Sequence, residues 1–177
     1  MTKRLTLAII LLITMAVVSC GQSDETHKLI GEMNANRIKC QELTKQAEAK
    51  RADARKQFQI GQRAEGQKTI DDAANLYGQI AKLLKESANK GDRIAAITTT
   101  DWYREYFTLY SKWTRNLAKL AAGAEEELII RKTGAPTEEQ MKIWRENIAE
   151  IRKEDDILQK QIAKLESDHH MVLIAHD

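Results

Sequence analysis

Apolar and polar residues alternate along most of this chain with the period of an amphipathic α-helix. Apolar positions recur at steps of three and four residues in four stretches, each bounded by helix start or stop signals. The pattern predicts helices over about 26–59, 67–89, 100–132 and 137–167. One proline and eight glycines in 177 residues supply too few turns for a β-sandwich, a barrel or a disulfide knot.

Turn and capping residues set the predicted helix boundaries. Gly61–Gly66 predicts the first break. Asn89–Asp92 predicts the end of the second helix, with Ile94–Ile97 left for one further turn. Thr137 and Gln140 fit a capping box at the start of the fourth helix.

The short connections between the predicted helices make neighbouring helices antiparallel. We therefore predict an all-α fold, an antiparallel up-down-up-down four-helix bundle that forms a single domain over residues 26–177. The alternative is two long, coiled-coil-like helical hairpins that pair only on oligomerisation, and the sequence leaves homo-oligomerisation open. In an antiparallel hairpin that turns near Ala135, residue i lies level with about residue 270 − i.

The first twenty residues have a different pattern. Lys3-Arg4 precedes an apolar run, Leu5–Val18, that has the length of a signal-peptide core and is too short for a comfortable membrane span. The run ends in Val17-Val18-Ser19-Cys20-Gly21, which resembles the lipobox of bacterial lipoproteins, with the small Ser19 before the cysteine. The resemblance covers residues 1–21 only.

The resemblance to bacterial lipoproteins implies a lipid anchor and an address. In that family the Cys20 thiol receives a diacylglycerol, residues 1–19 are cleaved off, and the new amine is acylated, typically with palmitate. Residues 20–25 would then form the lipidated cysteine and a short tether. Because Gly21 rather than Asp follows the cysteine, the resemblance implies the outer membrane on its periplasmic side, with the inner membrane or the cell surface as alternatives. An ordinary secretory signal with an incidental cysteine also stays open.

Composition and charge sharpen this interpretation. The chain has 28 Lys plus Arg and 26 Asp plus Glu, and loss of Lys3 and Arg4 with the signal would leave a balanced chain. A balanced charge gives no electrostatic case for nucleic-acid binding. Basic residues concentrate in Arg37–Arg63 and acidic residues in Glu125–Asp156. The simpler interpretation is that these are two solvated faces. The alternative is that the basic first helix attracts the acidic fourth helix or an acidic partner.

Aromatic residues cluster on one side of the predicted third helix. Six of the nine fall within twelve residues: Trp102, Tyr103, Tyr106, Phe107, Tyr110 and Trp113. A core role is the simpler interpretation. The six aromatic residues cover a wide arc of the helix circumference, and an aromatic rim beside a core can also bind a helix of a partner protein. Trp102 and Phe107 are therefore candidate partner-binding residues.

Two polar residues lie on predicted apolar faces. Asp155 occupies a heptad position of the fourth helix at which an apolar side chain is expected. It lies level with Arg115 and Asn116, one of which we predict to be its partner. Fixing helix register is its simpler role, and ligand binding is the alternative. Cys40 lies on the apolar face of the first helix, where burial as a small hydrophobe is favoured over an intermolecular disulfide.

Motifs for chemistry are few. The histidines that could converge at one bundle end are His27, His169, His170 and His176. Glu166 and His169 have Glu-x-x-His spacing, but di-metal bundles need two such motifs and further carboxylates, so we predict no metal and no cofactor. The sequence has no Gly-rich phosphate loop, His-Glu-x-x-His, Gly-x-Ser-x-Gly or Cys-x-x-Cys, so we predict no catalytic residues and no enzymatic activity.

These features together predict a membrane-anchored, non-enzymatic interaction or assembly module of the cell envelope. Its partners would be the membrane, through the lipid, and another envelope protein. Secretion pilotins are similar to the predicted protein in size and in membrane localisation, but they share no sequence motif with it. An exclusion or immunity lipoprotein, and a metal-handling or stress-chaperone bundle, are the alternative functions.

Overall fold

The amphipathic segments of the chain form four long α-helices. The computed structural model describes residues 24–133 and 136–169, and over these residues the chain contains no strand. The helices are α1 (Asp24–Gln59), α2 (Arg63–Ile97), α3 (Asp101–Thr133) and α4 (Glu138–Asp168).

Each helix packs beside the one that precedes it in the chain. α1 packs on α2, α2 on α3 and α3 on α4, which gives the four-helix bundle that the sequence predicts. The packing of α2 on α3 joins the two hairpins within one chain, so the alternative of hairpins that pair only on oligomerisation does not hold. Among the described residues no Cα atom of α1 lies within 8 Å of a Cα atom of α4. The bundle is therefore not closed between its first and last helices.

Side-chain contacts fix the direction and register of α4 against α3. The Trp102 ring stacks on His169 with 4.6 Å between ring centroids, at the start of α3 and just after the end of α4. The Trp144 indole Nε1 donates to the Gly123 carbonyl at 3.0 Å, closer to the other end of the hairpin. Both pairs agree with the antiparallel register predicted from the sequence.

The two ends of the bundle have different contents. We call proximal the end that contains the start of α1, residues 98–100 and the end of α4. The Arg93 Nε donates to Glu25 Oε1 at 2.6 Å across this end. We call distal the end at which α1 and α3 finish and α2 and α4 begin, where Lys132 Nζ donates to Asp71 Oδ2 at 2.6 Å.

The start of α4 is capped as predicted. The Thr137 hydroxyl accepts a hydrogen bond from the Gln140 backbone N–H at 3.2 Å, and the Thr137 N–H donates to Gln140 Oε1 at 3.0 Å. This capping box satisfies two backbone donors that the first turn of a helix otherwise leaves without partners.

The boundaries of α1 differ slightly from the prediction. Asp24 and Glu25 are helical, whereas the sequence pattern predicts a helix from about residue 26. The break after α1 is confined to residues 60–62, where Gly61 has φ of +82°, the left-handed region that glycine adopts without strain. Gly66 lies inside α2 and does not end the break.

The predicted end of α2 at Asn89–Asp92 is wrong, because the helix continues to Ile97. Gly91 is buried within the helix, and a Cβ atom at this position would collide with Ser111 Oγ of α3. This glycine therefore allows α2 and α3 to approach closely and does not stop the helix.

The core lies along α3. Residues on most of the circumference of this helix are buried, among them Tyr106, Phe107, Trp113 and Leu117. In contrast, α4 contributes a single narrow seam: Ile148, Asp155, Leu158, Ile162 and Glu166 are its buried residues. α3 is thus the central helix of the bundle and α4 is peripheral.

Candidate functional site

The two aromatic residues predicted to bind a partner lie in different environments. Phe107 is 0% exposed and packs edge-on against Tyr103 and Tyr106, with centroid distances of 4.8 and 5.3 Å. Its ring is part of the core and is not presented to a partner. Trp102 remains half-buried at the proximal end, stacked on His169 and packed edge-on against Tyr103.

A buried carboxyl group lies in the middle of the seam between α3 and α4. Asp155 is 4% exposed, and its Oδ2 accepts a hydrogen bond from Gln159 Nε2 at 2.7 Å, whereas its Oδ1 has no hydrogen-bond partner. The predicted partners are wrong. Arg115 pairs with Asp92 of α2, and the side-chain amide nitrogen of Asn116 is buried without a partner.

The environment of Asp155 favours its neutral form. Burial raises the pKa of Asp155 to about 6, and the negative charge of Asp156 adds to this rise. The hydrogen bond from Gln159 opposes the rise, and the Trp113 indole N–H opposes it more weakly. Trp113 Nε1 faces the carboxyl group from α3 but does not reach full hydrogen-bond geometry, so the nitrogen itself is unpartnered. The carboxyl therefore changes charge close to neutral pH.

A second carboxyl group is buried nearer the proximal end of the same seam. Glu166 is 7% exposed, and its Oε1 accepts a hydrogen bond from the Tyr106 hydroxyl at 3.3 Å. Burial raises the pKa of Glu166, and the hydrogen bond from Tyr106 opposes that rise. Within the described part of the chain, neither Glu166 nor Asp155 forms an ion pair.

A different polar cluster joins α1, α2 and α3 and is well compensated. The Tyr77 hydroxyl donates to the Glu48 carboxylate. The Arg51 guanidinium donates to the Tyr77 hydroxyl at 3.4 Å and to Glu127 at 3.5 Å, and it lies over the Tyr77 ring. Each charged group here has an opposite charge or a hydrogen bond, so the cluster holds the three helices together and leaves nothing for a ligand.

A small cavity between α1, α2 and α3 also fails to offer a substrate pocket. Its volume of about 20 Å³ accommodates roughly one water molecule. Cys40 lines it and is 2% exposed; burial raises the pKa of its thiol to about 11, which keeps it protonated and unreactive. The prediction that Cys40 is a buried small hydrophobe is confirmed, and no disulfide involves it.

The histidine and membrane features fall partly outside the described residues. His27 and His169 are exposed, whereas His170, His176 and Cys20 lie outside the described ranges. Over those ranges no group of three His, Cys, Asp or Glu side chains is placed to hold a metal ion. None of the described helices combines the length and the apolarity needed to cross a bilayer.

The sequence contained one signal for the second buried carboxyl that the prediction did not use. Glu166 follows Asp155 by eleven residues, which is close to three helical turns, so the two lie on nearly the same face of α4. The most unusual feature of the molecule is therefore this pair of buried, unpaired carboxyl groups under a peripheral helix. No protein-family model, curated protein or solved structure matches the chain.

Proposed function

We propose that the protein is a lipid-anchored helical module of the bacterial envelope that binds another envelope protein and catalyses no reaction. One observation carries the proposal: the order Lys3-Arg4, Leu5–Val18 and Ser19-Cys20, followed almost at once by the start of α1 at Asp24. Charge, apolar run, small residue and cysteine occur in the sequence in the order that lipoprotein processing requires.

The spacing between Cys20 and α1 limits the distance from bilayer to bundle. Residues 21–23 separate Cys20 from Asp24. A polypeptide spans at most about 3.5 Å per residue, so the distance from Cys20 to Asp24 cannot exceed about 14 Å. The proximal end, with Trp102 and His169, would then face the lipid headgroups, and the distal end would face away from the membrane.

The exposed apolar side chains support a partner at the distal end. Of the residues that the structure describes, seven large apolar ones are exposed, and four of these lie near the distal end: Phe58, Ile60, Ile129 and Ile143. Ile60 is the most exposed of the seven, at 69%. Exposed apolar groups concentrated at one end of a small bundle suit docking of another protein. We infer that the partner binds there, at the end opposite to the anchor.

Mass spectrometry of the protein from bacterial membranes tests the anchor. We expect an N-terminal peptide that begins at Cys20 and carries a diacylglycerol and an amide-linked acyl chain, because the sequence around this cysteine resembles a lipobox. The variant Cys20→Ser should lack both modifications and should leave the membrane fraction. The variant Cys40→Ser is the control and should keep the acylated peptide, since that thiol is buried. An unmodified wild-type N-terminus downstream of residue 20 would refute the proposal.

A further inference from the structure

The attachment of α4 to the bundle is unusually simple. Its Cα atoms lie within 8 Å of those of α3 only, over the residues that the structure describes. Two of its five buried residues, Asp155 and Glu166, carry carboxyl groups. The free energy that holds α4 in place therefore comes from a narrow seam that also buries two ionisable groups.

Among the described residues, neither carboxyl group has a countercharge in the seam. From α3, Asp155 meets the Trp113 indole and Glu166 meets the Tyr106 hydroxyl. On α4 itself, Asp155 has the amide of Gln159 and the like charge of Asp156. The unpartnered Oδ1 of Asp155 leaves that group undercompensated when it is ionised.

Two basic residues of α3 lie near Asp155 along the helix axis, and both form hydrogen bonds with other residues. Arg115 donates to Asp92 of α2, and Lys119 Nζ donates to the side-chain oxygen of Asn116 at 3.2 Å. At the end of α4, the exposed His169 stacks on Trp102 and does not form an ion pair with Glu166. Over the residues that the structure describes, the charge on the buried carboxyl groups is thus not neutralised from any element packed against them.

We propose that α4 is a proton-sensitive latch, which docks more tightly on α3 when Asp155 and Glu166 are protonated than when they are charged. Undocking returns the two carboxylates to water, so ionisation favours the undocked helix. Protonation removes the free-energy cost of the buried charge, so that packing of Ile148, Leu158 and Ile162 against α3 is no longer opposed by it. The latch does not depend on the lipid anchor, and so its test is independent of the proposed function.

The direction of the pH dependence follows from proton binding. Burial raises the pKa of both carboxyl groups in the docked state, so the docked state binds protons more tightly than the undocked one. Docking therefore strengthens as pH falls through about 6, and the effect is complete below the ordinary value of 3.8 for Asp155. From these two values, Asp155 alone makes the opening of α4 about tenfold more favourable at pH 7.5 than at pH 5.

Hydrogen exchange of the full chain, followed by mass spectrometry at pH 5 and pH 7.5, tests the latch. Measured rates are divided by the intrinsic exchange rates at each pH, and peptides from α2 serve as the internal reference. We expect protection of α4 peptides to fall about tenfold between pH 5 and pH 7.5 relative to α2. Equal relative protection at the two pH values would overturn the proposal.

Variants identify the groups responsible. Asp155→Asn should remove most of the tenfold loss of α4 protection between pH 5 and pH 7.5, and adding Glu166→Gln to it should remove the pH dependence that remains. The matched controls Asp156→Asn, at an exposed neighbouring carboxylate, and His169→Gln should keep most of the tenfold change. A wild-type pH dependence in Asp155→Asn would contradict the proposal.

A carboxyl titration of the wild-type protein by NMR supplies a readout that does not depend on a variant folding. The pKa of the Asp155 carboxyl should lie well above its ordinary value of 3.8. A measured pKa of Asp155 at or below 3.8 would also overturn the latch, because the docked state would then have no preference for the proton.

Discussion

Buried polar groups in this bundle differ in how completely they are compensated. Arg51 is surrounded by Glu48, Glu127 and the Tyr77 hydroxyl, so its charge strengthens the packing of three helices. Asp155 has one hydrogen bond and no ion pair. A charged group removed from water destabilises a fold unless it is paired, so these two sites act on stability with opposite signs.

Glycines in these helices are also distinguished by what lies next to them. Nothing lies within 4 Å of a Cβ built at Gly31, whereas one built at Gly91 would meet Ser111 Oγ. We expect Gly31→Ala to stabilise the protein by about 0.5–1 kcal/mol, because alanine is the better helix former. We expect Gly91→Ala to destabilise it by about 1 kcal/mol or more, because the clash between α2 and α3 outweighs that gain. Urea unfolding measures both changes.

The double variant Gly91→Ala with Ser111→Ala isolates the contact. Without the Ser111 hydroxyl, the nearest atoms to the new methyl group are the Phe107 carbonyl oxygen at 3.6 Å and the Ser111 Cβ at 3.7 Å, both at ordinary contact distances. The double variant should therefore recover much of the lost stability. If Gly91→Ala proves as stabilising as Gly31→Ala, close packing of α2 on α3 is not what requires this glycine.

At the scale of one element, α4 depends on its cap more than the other helices do. Thr137→Ala removes the side-chain acceptor of the capping box and should cost about 1 kcal/mol. Since α3 is the only close neighbour of α4 among the described helices, the lost stability should appear as faster hydrogen exchange in α4, whereas the exchange rates of α2 should change little. The control Thr108→Ala removes a hydroxyl that donates to the Arg104 carbonyl within exposed α3 surface, and it should leave α4 unaffected. Equal effects of the two variants would contradict this local role.

The elements were largely predictable from the sequence, and the contacts between them were less so. Heptad spacing and a capping box identify α4, because both are local. The stop at Gly91 was mispredicted because the role of that glycine depends on Ser111, which is distant in sequence. The position of a residue along the helix axis also does not identify the neighbour of Asp155. Arg115 and Trp113 lie at nearly the same height on α3, but their side chains point about 200° apart around the helix axis.

For the whole molecule, the uneven placement of exposed apolar groups predicts where a partner binds. A photoreactive amino acid at Ile60 or Ile143 should crosslink to an envelope protein in intact cells, because both lie at the distal end. Ile38 is the matched control: it is 50% exposed, against 53% for Ile143, but it lies midway along α1. Crosslinks of the same yield and identity from Ile38 would show that exposure, and not the distal end, determines capture.

The order of packing has a consequence for how the chain acquires its structure. Every pair of closely packed helices in the described part of the chain is also consecutive in sequence, and no Cα atom of α1 comes within 8 Å of one in α4. Each helix can therefore pack on the one before it as the chain emerges, amino terminus first, during synthesis. Structures dominated by such near-sequence contacts fold rapidly, because little loop entropy is lost before each contact forms. Assembly would end with α4, the helix that we propose to be a proton-sensitive latch.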